Sequence, residues 1–225
     1  MQQINVVISG FNPYEDLKVN PSYEVPSALA DSQYCVQLQS SQDVHVNVTA
    51  VTLPISFANA WPELLATIER EHANIVIATG VKHAARGVQL ERCAINVIDA
   101  NKPDVDNHRP QKMPIIENEP AAYWTRLPLR TILQCFAHDG IASTLSSDAG
   151  TYVCNSLFYQ LLHWAAGQSN QRILAGFVSF PPVVSSHDAR HHGLLLQQQI
   201  DAGRDIVRET VRYYMHPSSA NMLLD

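Results

Sequence analysis

One of the four cysteines in this 225-residue chain stands where a thiol can do chemistry. Cys154 lies in Ser147-Asp148-Ala149-Gly150-Thr151-Tyr152-Val153-Cys154-Asn155, which runs from a strand end through a small-residue turn into an amphipathic helix. A thiol in the first turn of a helix is close to unpaired backbone N–H groups and to the positive end of the helix dipole, and both favour thiolate. The same N–H groups are placed to hold an oxyanion, so the stretch reads as a nucleophile site for acyl transfer. Spacing alone leaves open a small buried residue on a helix. Cys35, Cys93 and Cys135 are scattered without C-x-x-C spacing and read as small apolar residues, not as zinc ligands or a disulfide framework. His187 and His191 are spaced i, i+4, which suits a metal if that stretch is helical, but no third ligand is evident. They read as solvated surface, and no metal or other cofactor is expected.

Placing Cys154 requires a strand before it and a helix after it, and the chain alternates accordingly. Ile4 to Ser9 is β-branched and apolar and breaks at Gly10 and Pro13, as a buried strand feeding a loop should. Asn20-Pro21 suits a helix start, with Asn as cap and Pro at the first helical position, while Pro26 should break or distort that helix. Val44, Val46 and Val48, extended by Val51, predict a strand; Leu64, Leu65 and Ile68 predict a helix; Ile75 to Thr79, stopped at Gly80, predicts another strand. Ala94 to Ile98 reads as a short strand and Asn101 to Pro114 as a long loop. Leu129 to Phe136 then reads as helix, Ile141 to Leu145 as strand, and Thr151 to Trp164 as the helix that carries Cys154. Ile173 to Val178 is expected to close the sheet, and Leu194 to Tyr214 to form a long terminal helix. This alternation predicts an α/β fold: a single domain over residues 1–216, its mainly parallel twisted sheet covered by helices on both faces, and a loose tail at 217–225.

Composition narrows the function classes. Hydrophobic residues make up 46% of the chain, enough for one large core. A net charge of -6, with no run of Lys or Arg, gives no footprint for nucleic acid or an anionic membrane. No apolar run reaches the roughly 20 residues that span a bilayer. The opening Gln2-Gln3-Ile4-Asn5 lacks the basic region and apolar core of a secretory signal. With cysteines that suit a reducing compartment, a cytoplasmic enzyme or binding protein is expected.

The residues around Cys154 also resemble a known family. Ala149-Gly150-Thr151-Tyr152-Val153-Cys154-Asn155 is similar to the A-G-T-[FY]-V-C-N nucleophile motif of the type I pyroglutamyl peptidases, which remove an N-terminal pyroglutamate from peptides. Three further blocks agree in order and spacing. Gly10 to Tyr14 with Asn20-Pro21-Ser22 resembles G-F-x-P-F and N-P-S, Leu90 to Asn96 resembles E-R-x-A-I-N, and Pro120 to Pro128 resembles P-A-A-Y-W-T-x-L-P. By this resemblance Cys154 is the nucleophile and Glu91 the acid that orients an imidazole. Phe11 and Tyr14 would sandwich the pyroglutamyl ring, and Asn20 and Val81 join them as substrate-binding residues. The implied substrate is a small peptide or related N-acyl compound, and the implied assembly a homo-oligomer, often a tetramer.

The chain departs from that family at the base. The family's histidine stands in G-F-[IV]-H-x-P, and here the segment is Gly176-Phe177-Val178-Ser179-Phe180-Pro181. Ser179 takes the base position, and a serine hydroxyl neither accepts the thiol proton at neutral pH nor returns one to a leaving amine. The family's A-R-[IV]-P-D becomes Ala100-Asn101-Lys102-Pro103-Asp104, so a cation near the site is lost or displaced to Lys102. G-x-A-G-G-R becomes Gly80-Val81-Lys82-His83-Ala84-Ala85-Arg86, with Val81 where a polar residue commonly helps to hold the lactam ring. The Gly-Gly after the aromatic residues is Glu15-Asp16. His83 is the preferred substitute base, because its loop should approach the site. Three readings stay open: a pyroglutamyl-peptidase-type hydrolase with the altered set Cys154, Glu91 and Ser179; a catalytically silent binding homologue; or a cysteine acyltransferase or cyclase acting on an activated acyl group.

Overall fold

The computed structural model describes residues 3–13, 19–30, 34–37, 43–185 and 192–221. In chain order they form β1 (Gln3–Phe11), α1 (Pro21–Ala30), β2 (Tyr34–Gln37), β3 (Asp43–Leu53), α2 (Ala60–Glu71), β4 (Ile75–Val81), β5 (Val88–Glu91) and β6 (Cys93–Ile95). There follow β7 (Ala122–Trp124), α3 (Leu129–His138), β8 (Ser143–Ser146), α4 (Val153–Gly167), β9 (Leu174–Phe180), α5 (Leu196–Met215) and a 3-10 turn at Ser219–Asn221. Seven strands make one sheet in the order β2-β3-β1-β4-β9-β5-β8, and β6 pairs with β7 separately. Strands β3, β1, β4 and β9 run parallel; β5 and β8 are parallel to each other but β5 is antiparallel to β9, and β2 is an antiparallel edge. The sheet is mostly parallel, as expected, but mixed.

Successive side chains of a strand point to opposite faces, so each central strand feeds two cores. Ile75 and Ile77 share one with Val25 and Leu29 of α1, Ile132 and Phe136 of α3, and Ile206 and Val207 of α5. Val76 and Ala78 share the other with Leu64 and Ile68 of α2 and Leu157 and Leu161 of α4. Strand β9 is buried along its whole length and β4 along nearly all of it, which is why both read as unbroken apolar runs. Helices therefore cover both faces of the sheet.

Three expectations need correction. Helix α1 runs through Pro26 without a break. The missing proline N–H leaves the Ser22 carbonyl without its helical partner, and the Thr79 hydroxyl lies 3.3 Å from it while also reaching the Ser9 carbonyl at 2.8 Å. That carbonyl presses so closely on β1 that a Cβ at Gly10 would stand 1.4 Å from it. Second, Leu174–Phe180 does not close the sheet but lies inside it, between β4 and β5. Third, Ala94 to Ile98 is not one strand: Cys93–Ile95 pairs with Ala122–Trp124, and Ile98 bridges to Met113. Among the described residues no helix is long and apolar enough to cross a membrane.

Candidate active site

Strand alternation decides which residues meet. Phe11 follows Val7 on the face of β1 that packs against α2 and α4, Gly80 follows Val76 and Ala78 on β4, and Ser179 follows Ala175 and Phe177 on β9. Glu91 is one residue past Leu90, which belongs to the opposite core, and so turns to the same side. Phe11, Gly80 and Ser179 lie near the carboxyl ends of parallel strands, the rim where open α/β sheets build sites. Helix α4 crosses this face with Cys154 in its first turn and Tyr152 at its N-cap, where no side chain caps it. A Cβ at Gly80 would stand 3.0 Å from Cys154 Sγ and 2.9 Å from Phe177 Cζ, so the bare glycine is what lets the sulfur settle onto β4.

Motif neighbours of the cysteine serve as scaffold. Gly150 N–H donates to Asp148 Oδ1 at 2.9 Å, the Thr151 hydroxyl to Asp99 O at 2.9 Å, and the Tyr152 hydroxyl to Pro103 O at 2.8 Å. Asn155 donates to Ile95 O at 2.9 Å and Val97 O at 3.1 Å and accepts from Ile95 N–H at 3.1 Å, which clamps the segment after Glu91 to α4.

Glu91 is fully buried. The Ser179 hydroxyl donates to its Oε1 at 2.7 Å, while Oε2 has no hydrogen-bond partner. Burial raises the carboxyl above its ordinary value; the Ser146 and Ser179 hydroxyls and the Lys82 charge oppose the rise, and Asp148 adds to it. The Ser146 hydroxyl also donates to Asp148 O at 3.4 Å. Burial first, and the Glu91 charge second, push the Cys154 thiol up to about 12, against its own backbone N–H and Lys102. These influences run against the helix-stabilised thiolate that the motif suggests. A helix end supplies about 0.3–1 kcal/mol, less than the roughly 1.4 kcal/mol of one pKa unit, and burial outweighs it.

A cavity of about 260 Å³ opens beside the sulfur and brings Phe11, Asn20, Val81, His83 and Cys154 together. Tyr14 lies outside the described residues, and Glu91 and Ser179 are not on the lining. Asn20 lines the cavity with its amide already engaged: Nδ2 donates to Phe11 O at 3.1 Å and Asn12 O at 3.2 Å, and Oδ1 accepts from Ser22 N–H at 3.0 Å and the Ser22 hydroxyl at 2.8 Å. It caps α1 and fixes the backbone of Phe11 rather than offering free donors. Sequence reasoning missed Ile55 and Tyr152 on the lining. Tyr152 stood inside the nucleophile motif, whereas Ile55, in the turn after β3, carried no signal.

Two groups of ligand-type side chains lie elsewhere among the described residues. In Asp104, Asp106 and His108, the Asp104 carboxylate already accepts from the N–H groups of Phe57, Asp106 and His108. In Cys135, Asp139 and Asp205, Arg208 Nη2 lies 2.8 Å from Cys135 Sγ and 2.7 Å from Asp205 Oδ1. Cys135 is thus not the plain apolar residue expected, and a guanidinium sits where a cation would. His187 and His191 lie outside the described residues, as does the side chain of Cys35.

A doubly covered α/β sheet thus carries a helix-start thiol beside a cavity and a buried strand-end carboxylate on the same face. The family model for pyroglutamyl peptidase matches residues 4–208, and the chain belongs to that family of cysteine-type peptidases. Pyrrolidone-carboxylate peptidases of Bacillus cytotoxicus and Yersinia pestis are 35% and 36% identical to it over 176 residues, 78% of this chain and 77% of each relative. The crystal structure of pyroglutamyl peptidase I from Bacillus amyloliquefaciens superposes with a TM-score of 0.81 at 27% identity, covering 96% of this chain and 97% of that one. The pyrrolidone carboxyl peptidase of Thermococcus litoralis gives 0.84 at 27% identity, covering 98% and 99%.

Proposed function

We propose that this chain is a pyroglutamyl-peptidase-type cysteine hydrolase with an altered catalytic set, which binds an N-terminal pyroglutamyl or related cyclic N-acyl group beside Cys154 and cleaves its amide slowly. The observation that carries the reading is the cavity itself, where Phe11, Asn20 and Val81 meet Cys154. In the proposed course the Cys154 sulfur attacks the acyl carbon, N–H groups of the first turn of α4 hold the oxyanion, the amine leaves with a proton, and water hydrolyses the thioester. Glu91 is the orienting acid of this set, and Ser179 is what slows it, since its hydroxyl is committed to Glu91 and cannot relay a proton. Residual proton transfer falls to His83, the one imidazole on the cavity lining among the described residues.

Incubation with a fluorogenic pyroglutamyl amide tests this: slow release by the parent and none by Cys154→Ala is expected. A silent parent leaves the binding homologue, the reading favoured by a thiol that burial pushes up to about 12. Cys93, Cys135 and Cys154 are free thiols, which supports a reducing compartment such as the cytoplasm. Assembly of several identical copies belongs to the same proposal, and a monomer in light scattering would remove it.

A further inference from the structure

We infer that the peptide behind the pyroglutamyl ring is bound as well, its second residue laying an apolar side chain in a hollow walled by Phe57, Ile98, Pro110 and Met113. This rests on the pyroglutamyl-peptidase reading of the cavity beside Cys154 and extends it to the leaving group. The hollow has a volume of about 480 Å³, within the roughly 300–1,000 Å³ of ligand sites, and His108 and Arg109 add polar groups to its lining. One ring pair links it to the Cys154 cavity: Tyr152 lines the cavity, Phe57 lines the hollow, and the two rings meet edge to face with centroids 5.2 Å apart.

Backbone hydrogen bonds fix the hollow relative to the sulfur. Asp99 N–H donates to Thr151 O at 3.1 Å, and the Thr151 and Tyr152 hydroxyls donate to Asp99 O and Pro103 O, so residues just before Cys154 hold the loop 98–113. Ile98 and Met113 exchange N–H groups and carbonyls at 2.8 and 3.1 Å, which closes that loop on itself. On the other side Val105 N–H donates to Ile55 O and Phe57 N–H to Asp104 Oδ2; Ile55 lines the cavity and Phe57, two residues on, the hollow. An extended peptide advances about 3.3 Å per residue, so a chain with its ring against Tyr152 passes the ring pair by its second residue. The period of two turns that residue's side chain to the same side as the ring. There it meets Met113, 46% exposed, whose unbranched thioether adapts to apolar partners of different shape.

Calorimetric titration of the full chain, carrying Cys154→Ala to prevent turnover, tests this with pyroglutamyl amide, pyroglutamyl-alanyl-leucine amide and pyroglutamyl-alanyl-serine amide. The leucine peptide is expected to bind about tenfold tighter than the serine peptide, from partial burial of one apolar side chain. Adding Met113→Asp, a change at an exposed side chain, should bring the leucine peptide down to the serine peptide. Equal affinities for the two peptides would overturn the inference while leaving the ring cavity standing, and so would a leucine preference that survives Met113→Asp. Binding of neither peptide and not of the ring amide would remove this inference and the cavity reading together.

Discussion

The cavity side and the carboxylate side of the site share one face of one sheet but are built differently. Around Cys154 there is open space, an apolar wall and a nearby ammonium. Around Glu91 there is none: one oxygen takes the Ser179 hydroxyl and the other has no partner. Burial raises the acid group at both ends. A positive ring between them would favour thiolate and carboxylate alike, whereas the short hydroxyl of Ser179 reaches Glu91 and gives Cys154 nothing. On the proposed reading, losing the middle member of a three-part relay leaves the two ends with no group to carry a proton between them.

Ser179→His is the strongest way to break that difference. An imidazole there would meet the unpartnered Oε2 of Glu91 and hold a base beside the sulfur, and kcat on a pyroglutamyl amide should rise by about 10²–10⁴. An unchanged kcat in a folded variant would mean that Val81, Lys102 and the other cavity changes limit the site, not the base. Alkylation sharpens the same contrast. With the thiol pushed from 9.0 up to about 12, native Cys154 should react at neutral pH roughly 10²–10³ times more slowly than in the unfolded chain, and its rate should climb with pH. Peptide mapping after iodoacetamide measures this at Cys154 alone. Fast neutral-pH labelling in the native state would show a thiolate and erase the difference between the two sides.

How much was legible in the sequence follows from the range of the forces involved. The layered α/β fold could be read because β4, β9 and the long helices carry periodic apolar patterns. Strands of three or four residues show no period: β5 forms beside the longer β9, and β7 pairs with the equally short β6. That matters for the site, since β5 is what delivers Glu91; only the motif pointed to it. Pro26 misled because a local rule was met by a distant partner, the Thr79 hydroxyl, which no helix pattern encodes. The thiol's surroundings were hidden likewise: the helix start was correctly located, but the packing of the sulfur against β4 depends on Gly80 and Phe177, remote in sequence.

The smallest effect tests the carboxylate side alone. Glu91→Gln keeps the shape and the acceptor for the Ser179 hydroxyl but removes the charge. Because the folded-state carboxyl lies above its unfolded value, the native state holds this proton more tightly; its contribution is full below the ordinary carboxylate range and is lost as pH rises through the raised value. Once the pH exceeds that raised value, the wild type therefore carries a buried charge that glutamine does not. The variant should be more stable by about 1–2 kcal/mol at about pH 8, roughly 2–4 °C in Tm per kcal/mol for a domain of this size. That advantage should shrink towards about pH 4, where glutamate is itself neutral. Melting curves at the two pH values decide it. An advantage that does not change with pH would mean that Glu91 is neutral throughout, leaving no carboxylate for a restored imidazole to lean on, and Ser179→His should then fail as well.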